Sequence, residues 1–165
     1  MPRSVILMRA IFIVGTSHAG YQIRPRCGPQ NGADAFKQYV LEAARTHAVQ
    51  TVAEEMSDEV LQGRRTVGCE AAKEESLFHI LCDPNRSERQ VLGISKDNTT
   101  SDYQKREKEW LYRLVRSSCR YPVLFVCGAC HVDSFAKLCR DEGWVPTIVK
   151  RDFYDPKIPL GCRII

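Results

Sequence analysis

The spacing of apolar segments constrains this chain more than any other feature. Short runs at Ala10–Val14, Val49–Ala53, Leu77–Leu81, Pro122–Val126 and Trp144–Val149 alternate with segments of helical periodicity. Continuous apolar runs of this length, rich in β-branched residues and closed by Gly, Asp or Pro, read as strands buried on both faces. Helical patterns lie between them. Asp34 can cap a helix that runs to about Thr46 with Phe36, Tyr39, Val40, Ala43 and Ala44 on one face. A polar helix follows from Ser57, and Ala71–Glu75 reads as a further helical turn. Ser101 or Asp102 opens the clearest helix, with Tyr103, Trp110, Leu111, Leu114 and Val115 on one arc. Asp133–Glu142 is a helix stopped by Gly143. Strand–helix alternation predicts an α/β fold: a single-layer sheet, mostly parallel or mixed, with helices on both faces. Pro146 puts the last strand at an edge, because proline cannot donate to a second neighbour.

A chain of 165 residues suits one α/β domain over 1–165. With Met8 as an alternative start, residues 1–7 read as an extension, and 152–165 read as a polar tail. Two segments between elements read as irregular: Ala19–Gly32, with two prolines and two interior glycines, and the polar stretch 84–101. At fourteen residues the first is long for a connection in a compact domain, which suggests a functional or mobile loop.

The net charge of +4 is spread among interleaved acids rather than gathered in a patch, so a nucleic-acid partner is not expected. No stretch approaches the roughly 20 apolar residues of a membrane span. Arg9 breaks the N-terminal apolar run after four residues, and no small-x-small cleavage site follows, which argues against a secretory signal. Of the eight cysteines, Cys82 and Cys127 end apolar runs and Cys139 lies on an amphipathic helix, so free thiols in a reducing, cytoplasmic setting are expected.

In parallel sheets functional groups gather beyond the carboxyl ends of the strands. Three strand ends carry such groups here. His18 closes Gly15-Thr16-Ser17-His18, Glu54 and Glu55 follow the second strand, and His131 closes Gly128-Ala129-Cys130-His131. Imidazole titrates near neutrality and serves as proton carrier or metal ligand. Because strand side chains alternate, only one glutamate can face a shared site, and we assign that position to Glu54. Arg106 sits one helical turn from both Tyr103 and Trp110, where it would be partly buried and would need a carboxylate or a substrate anion. The rest of Lys105–Glu109 reads as a solvated face. His79 and Asp83 flank the third strand end and could join the site, whereas His47 reads as structural. Cys127-Gly128-Ala129-Cys130-His131 matches the C-x-x-C-H haem signal, but no methionine follows Met56 as a distal ligand. Cys127 and Cys130 leave open a thiol redox reading.

The order G-x-x-H, Glu, Arg on a helix, then apolar strand and G-x-x-H resembles the superfamily joining erythromycin esterase, ChaN-like and TraB/Tiki proteins. Arg106-Glu107-Lys108-Glu109-Trp110-Leu111 and Val123–Val132 carry the likeness most closely, within an ordered match over 10–151. Members are usually much longer, so the likeness implies a reduced-length form. It implies a hydrolase, esterase- or metalloprotease-like, whose active-site positions fall on His18, Glu54 or Glu55, Arg106 and His131. In that reading His18, Glu54 and His131 bind a divalent ion (Mn, Zn or Co) or activate water, and Arg106 stabilises developing negative charge. Some relatives are thought to use histidine as base without metal. A small-molecule or peptide substrate is expected. The alternatives are a non-catalytic ligand-binding or regulatory domain and a redox protein.

Overall fold

The apolar run after Arg9 forms strand β1 (Ala10–Thr16), which sends Ile11 and Ile13 to one side of the sheet and Phe12 and Val14 to the other. In the computed structural model, which describes residues 8–24 and 32–154 and only the backbone of His18 and Ala19, four more strands join it. These are β2 (Thr51–Glu54), β3 (Phe78–Leu81), β4 (Val123–Gly128) and β5 (Val145–Lys150). The sheet is five-stranded, ordered β3-β2-β4-β1-β5, and every pairing is parallel. It is the single-sheet α/β architecture that the alternating pattern predicts. Pro146 lies in edge strand β5, paired on one side with Ile11.

Two cores flank the sheet. Helix α1 (Ala33–Thr46) precedes β2, and a short α2 (Asp58–Leu61) and then α3 (Val67–Glu74) follow it. Phe36, Val40, Val67 and Ala71 of α1 and α3 pack on Val14, Leu124 and Val126. On the other face, Trp110, Leu111 and Leu114 of α5 (Thr100–Arg116) and Phe135, Ala136 and Cys139 of α6 (Val132–Asp141) pack on Ile11, Ile13, Phe125 and Cys127. The chain therefore leaves β1 and β2 toward one face and leaves β4 toward the other. The carboxyl end of β4 lies at a topological switch point, where diverging connections open a crevice above the sheet.

Several boundaries differ from expectation. Gly32 precedes α1, and Asp34 instead lies in its first turn, paired with Arg24 and favoured there by the helix dipole. The stretch 84–101 contains α4 (Arg86–Val91), which starts at a capping box of Asn85 and Glu88 and buries none of its residues. Lacking an apolar face, it has no periodicity to reveal it. A second capping box, Thr99 with Asp102, starts α5 two residues into the expected loop. Val115 is largely exposed, off the buried arc. Ala19–Gly32 begins inside a π-helical turn (His18–Gln22), after which Ile23 bridges to Thr66; residues 25–31 lie outside the described residues. The start of the tail folds back: Phe153 N–H donates to the Gly15 carbonyl at 2.7 Å, and its ring packs among Tyr21, Phe36 and Tyr39. Gly15 is needed because a Cβ there would collide with the Arg151 carbonyl, not because the strand turns there. Residues 1–7 and 155–165 lie outside the described residues.

Among the described residues, no helix is long and apolar enough to cross a membrane. Six cysteines there, Cys69, Cys82, Cys119, Cys127, Cys130 and Cys139, are free.

Candidate functional site

Strand alternation separates the two glutamates at the end of β2. Ala53 packs in the core beneath α5 and α6, so Glu55 follows it to that face and Glu54 turns to the other. Both are buried. Each belongs to a different network.

Glu54 accepts hydrogen bonds from Gln22 Nε2 at 2.9 Å and from the Thr66 hydroxyl, and lies 2.8 Å from His79 Nε2. Thr66 also caps α3 by accepting from Cys69 N–H. The helix can sit this close because residue 68 is glycine: a Cβ there would lie 2.5 Å from Oε1 of Glu54. Glu54 is thus fully engaged away from β4. The expected pairing of Glu54 with His131 is corrected to Glu55 with His131.

Glu55 accepts from Arg106 Nη2 through Oε1 and from Gly128 N–H at 2.7 Å through Oε2. Arg106 Nε donates to Asp83 Oδ1 at 3.0 Å, which also accepts from Trp110 Nε1 at 2.9 Å. Asp83 Oδ2 is held by Arg89. Arg106, 8% exposed, therefore bridges two carboxylates from two strand ends, the partnership its helical position requires. Burial pulls its guanidinium down, yet the charges of Glu55 and Asp83 and their hydrogen bonds leave it above its ordinary range.

His131 ends a 3₁₀ turn (Ala129–His131) after β4 and is buried against Tyr103 and Trp110, with ring centroids 4.5 and 5.0 Å away. Its Nδ1 lies 2.8 Å from Glu107 Oε1, which also accepts from Ser134 Oγ. A carboxylate only accepts, so Nδ1 is the ring nitrogen that donates to Glu107, and a lone pair on the ring would fall on Nε2. Nε2 lies 3.5 Å from Oε1 of Glu55, too far for a strong hydrogen bond. Glu107 is a site residue that the solvated-face expectation for Lys105–Glu109 misses. Its signal was present, since it stands three, four and seven residues before Trp110, Leu111 and Leu114, on the buried arc.

Glu55, Arg106 and His131 line an open cleft of about 420 Å³, with Thr16, Ser17, Tyr103, Gly128 and Cys130 among its other walls. Thr16 is 2% exposed, and its hydroxyl has no hydrogen-bond partner among the described residues. An orphaned buried hydroxyl at a cleft wall is a polar contact awaiting a ligand. The His18 side chain lies outside the described residues; its backbone starts the π-helical turn at the end of β1.

The set His18, Glu54 and His131 does not fit a metal ion through its described members. Glu54 is committed to Gln22, Thr66 and His79, while His131 belongs to the Glu55–Glu107 network. Among the described residues, no three His, Cys, Asp or Glu side chains form a metal-holding group. The redox pair is also poorly placed. Burial, reinforced by the Glu55 charge, pushes both Cys127 and Cys130 thiols up, whereas a reactive cysteine needs a stabilised thiolate.

No family model matches the sequence, and comparisons with curated proteins and with solved structures return no match.

Proposed function

We propose that the chain is a hydrolase that uses His131 as general base without a metal. The supporting observation is the Glu107–His131 pair at the switch point: Nδ1–H is bound by a buried carboxylate, and Nε2 is left for a proton at the wall of the cleft. In this reading His131 takes a proton from a water as its oxygen attacks the acyl carbon, then returns it to the leaving group. Glu55, held by Arg106 and Gly128, faces the imidazolium formed in between. The Thr16 hydroxyl and Arg106 Nη1, which donates no hydrogen bond among the described residues, supply donors for the developing negative charge. The substrate is a small molecule or a peptide, and the cytoplasmic setting and the likeness to the erythromycin esterase, ChaN-like and TraB/Tiki superfamily belong to the same proposal.

A second reading, a ligand-binding domain without turnover, is favoured by the internal pairing of Glu55, Asp83, Glu107 and Arg106, which holds the cleft's shape without substrate. Screening chromogenic esters, amides and phosphoesters separates the two. If hydrolysis is found, His131→Ala is expected to lower it by roughly 10²–10⁴-fold. Glu107→Gln should lower kcat while leaving the fold intact by circular dichroism. Hydrolysis unchanged in His131→Ala removes the hydrolase reading; ligand binding without turnover by the wild type selects the second.

A further inference from the structure

A second cavity shares a wall residue with the cleft. A groove of about 630 Å³ lies between α2 and α4, at the carboxyl ends of β2 and β3. Its apolar contacts come from Val60, Pro84 and Ile94, and its charged ones from Glu59, Arg86, Arg89 and Lys96. Arg89 lines this groove and the His131 cleft alike. Its side chain is anchored, with Nε on the Pro84 carbonyl at 3.0 Å and Nη2 on Asp83, the carboxylate that also holds Arg106.

The charge balance of the groove is one-sided. Glu59 spends Oε2 on the backbone N–H of Arg86 at 2.7 Å. The side chains of Arg86 and Lys96 make no hydrogen bond or ion pair among the described residues, so both line the groove without a protein partner there. Two unpaired cations above an apolar floor suit a ligand with an apolar body and an anionic end.

We infer that the α2–α4 groove is a subsite for an anionic group, carboxylate or phosphate, bound by Arg86 and Lys96, and that Arg89 marks the passage from it to the cleft. As the substrate's remote end it rests on the hydrolase reading, and it names the class: an ester or amide with an apolar segment ending in an anion. Distance from the reacting centre is no obstacle, because remote binding energy can be spent on orientation at the bond that breaks.

The test is titration of the full chain at low salt with inorganic phosphate and, separately, with glutarate, followed by the backbone amide shifts of the groove-lining segments 57–60 and 85–96. Saturable shifts confined to those segments are expected, and the tighter of the two probes identifies the anion. Arg86→Ala with Lys96→Ala should weaken binding by about tenfold or more. Arg116→Ala with Lys137→Ala removes the same charge elsewhere and should change binding by less than about twofold. No saturable binding of either anion, or equal weakening by the two double variants, overturns the inference. Hydrolysis without any preference for anionic substrates would overturn the subsite and leave the hydrolase reading standing; anion binding lost in Arg86→Ala/Lys96→Ala without any turnover would do the reverse.

Discussion

Arg106 holds the buried charge of the cleft in balance. Replacing it with alanine would leave Glu55 and Asp83 buried without their shared cation, and removal of one partner from such a pair costs about 3–5 kcal/mol. Urea unfolding of Arg106→Ala is expected to show a loss of that size; a loss below about 1 kcal/mol would mean the carboxylates find other partners. Arg106→Lys should recover part of it, because one ammonium cannot reach both acids with the guanidinium's fork. Gly68→Ala tests the other network. Its Cβ would press on the Glu54 carboxylate, so a destabilisation of about 1–3 kcal/mol is expected, with displaced His79 ring resonances. An unshifted His79 spectrum would show that α3 yields instead. At this scale Arg106 was legible as a partly buried base in need of acids, since its place on the helix stripe implies it. The choice between Glu54 and Glu55 was not: alternation says they part, but which face carries α5 is absent from residues 54 and 55.

The helix starts are set by local side-chain bonds. Thr99 accepts from Asp102 N–H and Asp102 returns a bond to Thr99 N–H, so Thr99→Ala is expected to cost about 1 kcal/mol, read from thermal unfolding. Asp102 also gives this helix an acid dependence. Hydrogen bonds from the Ser95 hydroxyl and N–H, then from Thr99, hold its carboxyl well below the usual carboxylate range. The folded pKa is therefore lower than the unfolded value of about 3.9, so the linked stability is present above about pH 4 and is lost as pH falls through the folded value. Asp102→Asn should flatten the fall of Tm between about pH 5 and 2; an unaltered slope would assign the acid limb to other carboxylates. Helices with a buried face were legible from their periodicity. Helix α4 was not, because it buries no residue and its start rests on a capping box in a polar run.

Across the whole molecule, burial declines from the middle of the sheet outward. Strand β4 is buried at every position, whereas β3 and β5 are half-exposed edges. Amide exchange should be slowest in β4 and in the β1 residues paired with it, and faster in β3 and β5; edge strands as protected as β4 would mean that the sheet opens only as a unit. The sequence by itself determined the five strands, their alternation with helices, the edge position of the strand bearing Pro146, and the gathering of His and Glu at strand ends. Those features follow from period, β-branching and the missing donor of proline, which act along the chain. Tertiary structure alone decided the strand order and the face each helix covers. From these follow the division of Glu54 from Glu55, the recruitment of Glu107 to His131, and the placement of Arg89 on the walls of both the α2–α4 groove and the cleft. The physical reason is that such pairings link residues far apart in sequence. The Glu55 bond to Arg106 spans 51 positions, and its bond to Gly128 spans 73. The partner is chosen by how the layers pack, which no local pattern encodes.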